Sequence, residues 1–331
     1  MPEAAVIAVL LLVLGAEFVN GFTDAPNAIA TVISTRVLRP YWAILMATIL
    51  NVLGALSGTA VARTIGKDIV KPEVVNTLTV GAAMIAIIVW GMLAWRYGLP
   101  TSQSHSLVSG LAGAALATAG PSVLVWHGWQ KVLIGLGLST ALGFAGGAGL
   151  MTAIARLLFR TPRHRVGRVF GRLQVLSSAF MAFSHGCNDA QKFMGVFVLT
   201  LLLAGSVEEF HIPLWVILLC AGTMGVGTVS GGWRIMRTMG FKITRLEPVH
   251  GFAAETAAGL VITVASAFAI PLSTTHTINT AIMGVGASRR LSAVRWGVGA
   301  EIVSAWVLTF PVCGLIAWAI ASAAKVLFGS P

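Results

Sequence analysis

Apolar runs too long for a soluble core set the first constraint on this chain. From Ala4 to Thr35 there is no lysine or arginine, and only Glu17 and Asp24 carry charge. Further runs lie at 41–62, 74–95, 104–120 and 131–155, then at 173–204, 213–233, 251–270, 275–288 and 296–326. A helix crossing a bilayer needs about 20 mostly apolar residues, so each run reads as a span, and 4–36 is too long for one pass. Composition agrees: 56% of residues are hydrophobic and 10% charged, with mean hydropathy +0.87, where a soluble domain has about a quarter charged. The alternation of an outer-membrane barrel is absent. The expected fold is an all-α polytopic membrane protein of about 10–12 segments.

Other features narrow the class. Cys187, Cys220 and Cys313 stand alone in apolar segments, which signals neither a disulfide framework nor a metal cage. Ala4 to Val19 lacks the basic leader and small-residue cleavage site of a signal peptide and reads as a first span. The net charge is +11, and Arg156, Arg160, Arg163, Arg165, Arg168 and Arg172 crowd one stretch between apolar blocks. No aromatics interleave these arginines, so nucleic acid is not an expected partner. They fit a cytoplasmic linker at 156–172, with anionic lipid headgroups as a secondary contact.

The linker divides two copies of one pattern. Gly21 to Asn27 (GFTDAPN) recurs as Gly186 to Lys192 (GCNDAQK). Ser57-Gly58 recurs as Ser230-Gly231, and Arg63 to Gly66 (RTIG) as Arg237 to Gly240 (RTMG). Pro100 to His105 (PTSQSH) recurs as Pro271 to His276 (PLSTTH). The chain is therefore an internal duplication, with repeats at 1–155 and 173–331. No base precedes Arg36, which places the N-terminus outside while the linker lies inside. An odd number of crossings then separates them, so the second repeat inserts inverted, as in secondary transporters. Glu208 and Glu209 fit an outer loop, and Arg234, Arg237, Lys242, Arg245, Arg289, Arg290 and Arg295 fit inner ones. The loop with Arg63, Lys67 and Lys71 falls on the outer side and fits poorly, only partly offset by Asp68 and Glu73. Both termini are expected outside a cell inner membrane.

Charge inside a span costs about 2.5–3.5 kcal/mol on insertion scales and needs a reason. Asp24 and Asp189 both lie three residues after a glycine in long apolar segments, and Pro26 follows Asp24. We expect both helices to break there, as transporters do where they bind ions. Asn27 shares a helical face with Asp24, and Lys192 with Asp189. Capping of broken helices is the alternative role for the aspartates. The second constellation is Ser102, Gln103 and Ser104 with Ser273, Thr274 and Thr275, short polar groups at helices starting near Ser104 and Thr275. A helix N-terminus with such neighbours suits an oxyanion, though the same residue types also cap helices anywhere. His105, His185 and His276 are candidates for proton carriage or hydrogen bonding. Glu17 is placed to share a cavity with Asp24. Glu255 and Glu301 carry no assigned role.

Ser102 with His105, or Ser273 with His276, resembles a nucleophile and base, as in a membrane-embedded lipid pyrophosphate phosphatase. No arginine and glutamate cluster clamps a pyrophosphate and metal nearby, so the chain does not read as an enzyme. The duplicated motifs resemble instead the inorganic phosphate transporter family, bacterial low-affinity type, whose signatures are G-A-N-D-V-A-N-A in each half and P-x-S-T-T-H. Gly21 to Ala28, Ser184 to Lys192 and Pro271 to His276 carry the resemblance, which spans essentially the whole chain.

The resemblance implies cation-coupled import of inorganic phosphate by alternating access, without a cofactor and with a homodimer as the family's form. Ser102, Gln103, Ser104, Ser273, Thr274 and Thr275 become phosphate ligands, and Asp24, Asn27, Asn188, Asp189 and Lys192 the coupling site. Asp24 and Asp189 would be metal ligands if sodium is coupled. Thr23 replaces the usual Asn, and Lys192 replaces the Asn of sodium-coupled members. An ammonium there repels sodium, so protons are the expected coupling ion. A sulfate permease of the same fold is the alternative for substrate.

Overall fold

The computed structural model describes residues 3–71 and 75–328; Glu73 and the extreme termini lie outside the described residues. Among the described residues every regular element is a helix, beside one isolated antiparallel bridge, Val70 to Leu124. The first half contains α1 (Glu3–Ser34), α2 (Pro40–Leu56), α3 (Ala60–Asp68), α4 (Thr77–Tyr97), α5 (Gln103–Ala119) and α6 (Trp126–Leu157). The second repeats that order with α7 (Arg163–Leu203), α8 (Leu214–Ser230), α9 (Trp233–Arg237), α10 (Pro248–Ala267), α11 (Thr274–Arg289) and α12 (Trp296–Phe328). A π-helical turn, Thr238–Lys242, prolongs α9. By length and apolarity alone, α1, α4, α6, α10 and α12 qualify as membrane spans, and the bent pairs α2–α3 and α8–α9 bring the number to seven.

Two expectations need correction. α1 and α7 run unbroken through Asp24 and Asp189, α1 even with Pro26 inside it. Side chains of the same helix together with Thr274 and Thr275 of α11 satisfy the aspartates, so no backbone needs to open. Pro26 is accommodated where Gly232, in the left-handed region at φ 89°, packs against its ring and the Phe22 carbonyl. The breaks fall instead at the two Ser-Gly repeats: α2 turns into α3 by 74° after Ser57-Gly58, and α8 into α9 by 61° at Gly231-Gly232. The arginine-rich linker is also mostly helix. Only 158–162 separates α6 from α7, because arginine is a good helix former and one side of this stretch is exposed.

The halves interlock. α5 packs on α12 and α11 on α6, α2 on α7 and α8 on α1, α1 on α4 and α7 on α10, so exchanging the halves preserves the pattern. Close crossings rest on glycine: a β-carbon on Gly21 would strike the Met224 backbone, and one on Gly186 the Asn51 backbone. One apolar cluster gathers Val9 and Val13 of α1 with Met194, Val198 and Leu199 of α7; another gathers Ile29 and Val32 of α1 with Met181 of α7 and Ile278 of α11. Between them along α1 and α7 lies a polar layer.

Candidate anion and cation site

That layer begins as a stripe. On α1, Glu17, Asn20, Asp24, Asn27 and Thr31 recur at three- and four-residue steps and are all buried. On α7, His185, Asn188, Asp189 and Lys192 do the same. Against these faces the chain drives two helix starts, α5 and α11, each after an extended segment entered by a proline. Ser102 Oγ accepts the His105 amide at 3.3 Å, and Ser273 Oγ accepts the His276 amide at 3.1 Å. Both serines therefore cap their helices. The amides of Gln103, Ser104, Thr274 and Thr275, in the first two positions of each helix, have no acceptor among the described residues. Two positive helix ends with free donors face one buried region, an arrangement suited to an oxyanion.

The start of α11 holds one aspartate of each half. Thr274 Oγ1 donates to Asp189 Oδ2 at 2.8 Å and Thr275 Oγ1 to Asp24 Oδ2 at 3.0 Å. Asn27 Nδ2 donates to Asp24 Oδ2 at 3.1 Å, and lies 3.0 Å from Thr275 Oγ1 and 3.3 Å from Thr274 Oγ1. Lys192 makes the corresponding contacts in the second half: Nζ donates to Asp189 Oδ1, to Ser104 Oγ, and to the Leu272 carbonyl at 2.9 Å. All three ammonium hydrogens are thus directed at oxygens, in a side chain 2% exposed. Ser104 Oγ donates onward to the Leu272 carbonyl at 3.1 Å.

Ligand atoms of Asp24, His185 and Asp189 lie within 4.8 Å of one another. Two carboxylates at that separation repel by roughly 3–4 kcal/mol at an effective dielectric of about 20, which Lys192 offsets for one of them. His185 Nδ1 is 3.0 Å from Asn51 Oδ1, so that nitrogen carries the hydrogen. Nε2 then faces Asp189 Oδ2 at 3.1 Å without hydrogen-bond alignment. A neutral ring would point its lone pair at the carboxylate, and a proton or a cation between them removes the conflict. The three residues offer the donor set of a small cation site, one nitrogen and two carboxylates.

The sequence candidates converge unevenly. Asp24, Asn27, Asp189, Lys192, Ser104, Thr274 and Thr275 form one network. Gln103 joins through Thr23, donating at 3.0 Å to a hydroxyl that itself donates to Asp24 Oδ1 at 3.1 Å. Asn188 turns aside to Ser266 Oγ at 2.9 Å. Glu17 accepts from Asn20 at 3.0 Å, two helical turns before Asp24, and has no hydrogen bond to it. His105 and His276 meet each other instead, ring centroids 4.5 Å apart, with His276 stacked on Trp306 at 3.6 Å. Thr23, Asn51 and the Leu272 carbonyl were not anticipated as ligands. Nor was a fourth buried carboxylate, Glu255, which accepts from Thr31, Ser177 and, at 3.3 Å, Gln174. The three- and four-residue rhythm that links Asp24 to Thr31 is the signal that reaches this cluster. Glu301 is exposed.

Fold and site define a polytopic helical membrane protein with a buried, charge-paired site at two opposed helix N-termini, built jointly by two repeated halves. A model described as the phosphate transporter family matches residues 20–166 and 158–317, and the chain belongs to that family. It is 42% identical over 312 residues to a probable low-affinity inorganic phosphate transporter of Rhizobium meliloti, covering 94% of this chain and 93% of the relative. A Bacillus subtilis relative of the same description is 39% identical over 310 residues, covering 92% and 93%. Among solved structures, one described as the sodium-dependent phosphate transporter superposes with TM-score 0.83 at 25% identity, covering 98% of this chain and 100% of that one. Membership sets aside the phosphatase reading of the Ser and His pairs.

Proposed function

We propose that this protein imports inorganic phosphate together with protons, by alternating access of two inverted halves around the buried site. The observation that carries the proposal is the joint hold of α11 on both aspartates, Thr274 on Asp189 and Thr275 on Asp24, beside free amides at the starts of α5 and α11. Those amides, with Gln103, Ser104, Thr274 and Thr275, are the phosphate ligands; Ser102 and Ser273 support them by capping. Asp24, Asn27, Asp189 and Lys192 form the coupling centre, with His185 beside it and Asn188 at its edge.

Charge explains the coupling. A dianion entering next to two carboxylates needs compensating positive charge. Lys192 already supplies one fixed cation where a metal ion would otherwise sit, and a proton taken up at Asp24 or His185 supplies the other. The bound state is then favoured only when anion and proton are both present, which is the condition for coupled movement. Substrate choice follows from protonation: hydrogen phosphate can donate to a carboxylate, whereas sulfate presents only acceptors and is repelled. The relatives described as phosphate transporters support the same choice. The arginine distribution supports termini on the outer side of the cell membrane.

The test is radiolabelled phosphate uptake into proteoliposomes under an imposed proton gradient, with sulfate as competitor and Asp24→Asn as control. Gradient-driven uptake that resists sulfate and is lost in the variant is the expected result. Uptake that needs sodium and ignores the proton gradient would overturn the coupling ion, and inhibition by equimolar sulfate would overturn the substrate.

A further inference from the structure

Away from the transport site, four helix ends meet around an open cleft at the arginine-rich end of the bundle. The end of α6, the turn after it, the first turn of α7, the head of α10 and the end of α11 line two adjoining hollows of ≈ 560 and ≈ 400 Å³. The hollows share Met151, Ala155, Phe159 and Arg289. Arg156 lines the larger and Arg163 the smaller. Arg156, Arg163 and Arg289 come from three different helices, are exposed, and form no ion pair among the described residues. Arg160 adds a fourth charge beside the floor, its guanidinium 5.1 Å from the Phe159 ring centre. α7 has Pro162 at its N-cap and no side-chain cap, so its positive end is open on the same side. Glu247 is the one carboxylate on the lining.

From this we infer that the cleft binds the headgroup of an anionic phospholipid, with the phosphoryl group among Arg156, Arg163 and Arg289 and an acyl chain along Met151 and Phe159. Two properties select a lipid over a soluble anion. The hollows pair guanidinium groups with an apolar floor, which inorganic phosphate would leave unused. The lining also exposes Phe159 at 73%, and the same α6 and α7 segments expose Leu157 at 80% and Val169 at 52%, apolar side chains that a soluble surface would seldom carry but a membrane interface accepts. Basic pockets between helices at a cytoplasmic boundary hold acidic lipids for the same reason. Arg165, Arg168 and Arg172 lie on the same α7 segment and line neither hollow, so they test site against bulk charge.

Purified full-length protein in detergent is titrated with phosphatidylglycerol or phosphatidylcholine, counting bound lipid by native mass spectrometry, with and without millimolar inorganic phosphate. Wild type should retain phosphatidylglycerol in preference to phosphatidylcholine. Arg163→Ala should weaken that binding about fivefold, the expected share of one interfacial arginine, and Arg156→Ala/Arg289→Ala by more. Arg165→Ala/Arg168→Ala/Arg172→Ala should leave it unchanged. Equal retention of the two lipids, equal loss in the control triple variant, or displacement of the lipid by inorganic phosphate would each overturn the assignment. Unaltered melting temperature in the Arg163→Ala protein keeps the comparison one of binding.

Discussion

Lys192 and Asn27 occupy matching places in the two repeats, one beside Asp189 and Ser104, the other beside Asp24 and Thr275. One half therefore carries an ammonium where the other carries a carboxamide. Carboxylate, hydroxyl and backbone carbonyl oxygens around Lys192 Nζ are the ligands a hard cation takes. Lys192→Asn should accordingly convert the protein to sodium dependence, raising uptake in sodium over potassium by about tenfold or more, one logarithmic unit being about 1.4 kcal/mol of added cation binding. Equal uptake in both salts would refute the idea that the ammonium stands in for a metal. Asp189→Asn has a different signature from Asp24→Asn: it strands a buried ammonium, a loss of about 3–5 kcal/mol, so only the Asp189 variant should melt markedly lower in detergent. Much of this network was legible in sequence, since a charge inside an apolar run announces itself. The Leu272 carbonyl was not, because any residue type can supply a backbone oxygen, and Asn51 lay in an otherwise apolar span with no repeat to flag it.

At the scale of elements, the sequence announced breaks where the helices continue and understated those that occur. Asp24 with Pro26 reads as a stop, yet α1 continues because Thr275, Asn27 and Thr23 take up the carboxylate and Gly232 makes room for the proline ring. The Ser-Gly repeats carry no charge to draw attention, but they are the places where two helices bend. Gly232→Ala should lower stability by about 1–2 kcal/mol, the cost of a β-carbon in the left-handed region, beyond any clash with Pro26, as read by thermal unfolding in detergent. The starts of α5 and α11 were correctly placed because proline followed by hydroxyls is a local signal. Ser102→Ala and Ser273→Ala should each cost about 1 kcal/mol of stability through the lost cap and weaken phosphate affinity by disordering the free amides. A variant with normal stability and lost affinity would place the serine hydroxyl on the anion itself.

The whole molecule has one site made from two incomplete halves. The first repeat owns Asp24, Asn27, Gln103 and Ser104; the second owns Asp189, Lys192, Thr274 and Thr275, and the two are joined by Thr275 donating to Asp24 and Lys192 donating to Ser104. The scaffold is divided the same way, α6 packing on α11 and α12 on α5, so each half leaves a helix face that only the other covers. The duplication was readable in the paired motifs, but this exchange was not, since the matches say which segments are equivalent and not which segments touch. Splitting the chain in the 158–162 turn should therefore give two fragments that are each unstable alone and recover phosphate uptake when co-expressed in a transport-deficient strain. The measurement is co-purification of the fragments on a tag carried by one of them, with uptake assayed in the same cells. If the second fragment alone accumulated as a folded, transporting species, it would have to complete its site from a second copy of itself, pairing Asp189 with Lys192 on both sides. That site would bury two ammonium groups with two carboxylates where the native site buries one ammonium, and the extra buried ion adds its own desolvation cost, which disfavours that outcome.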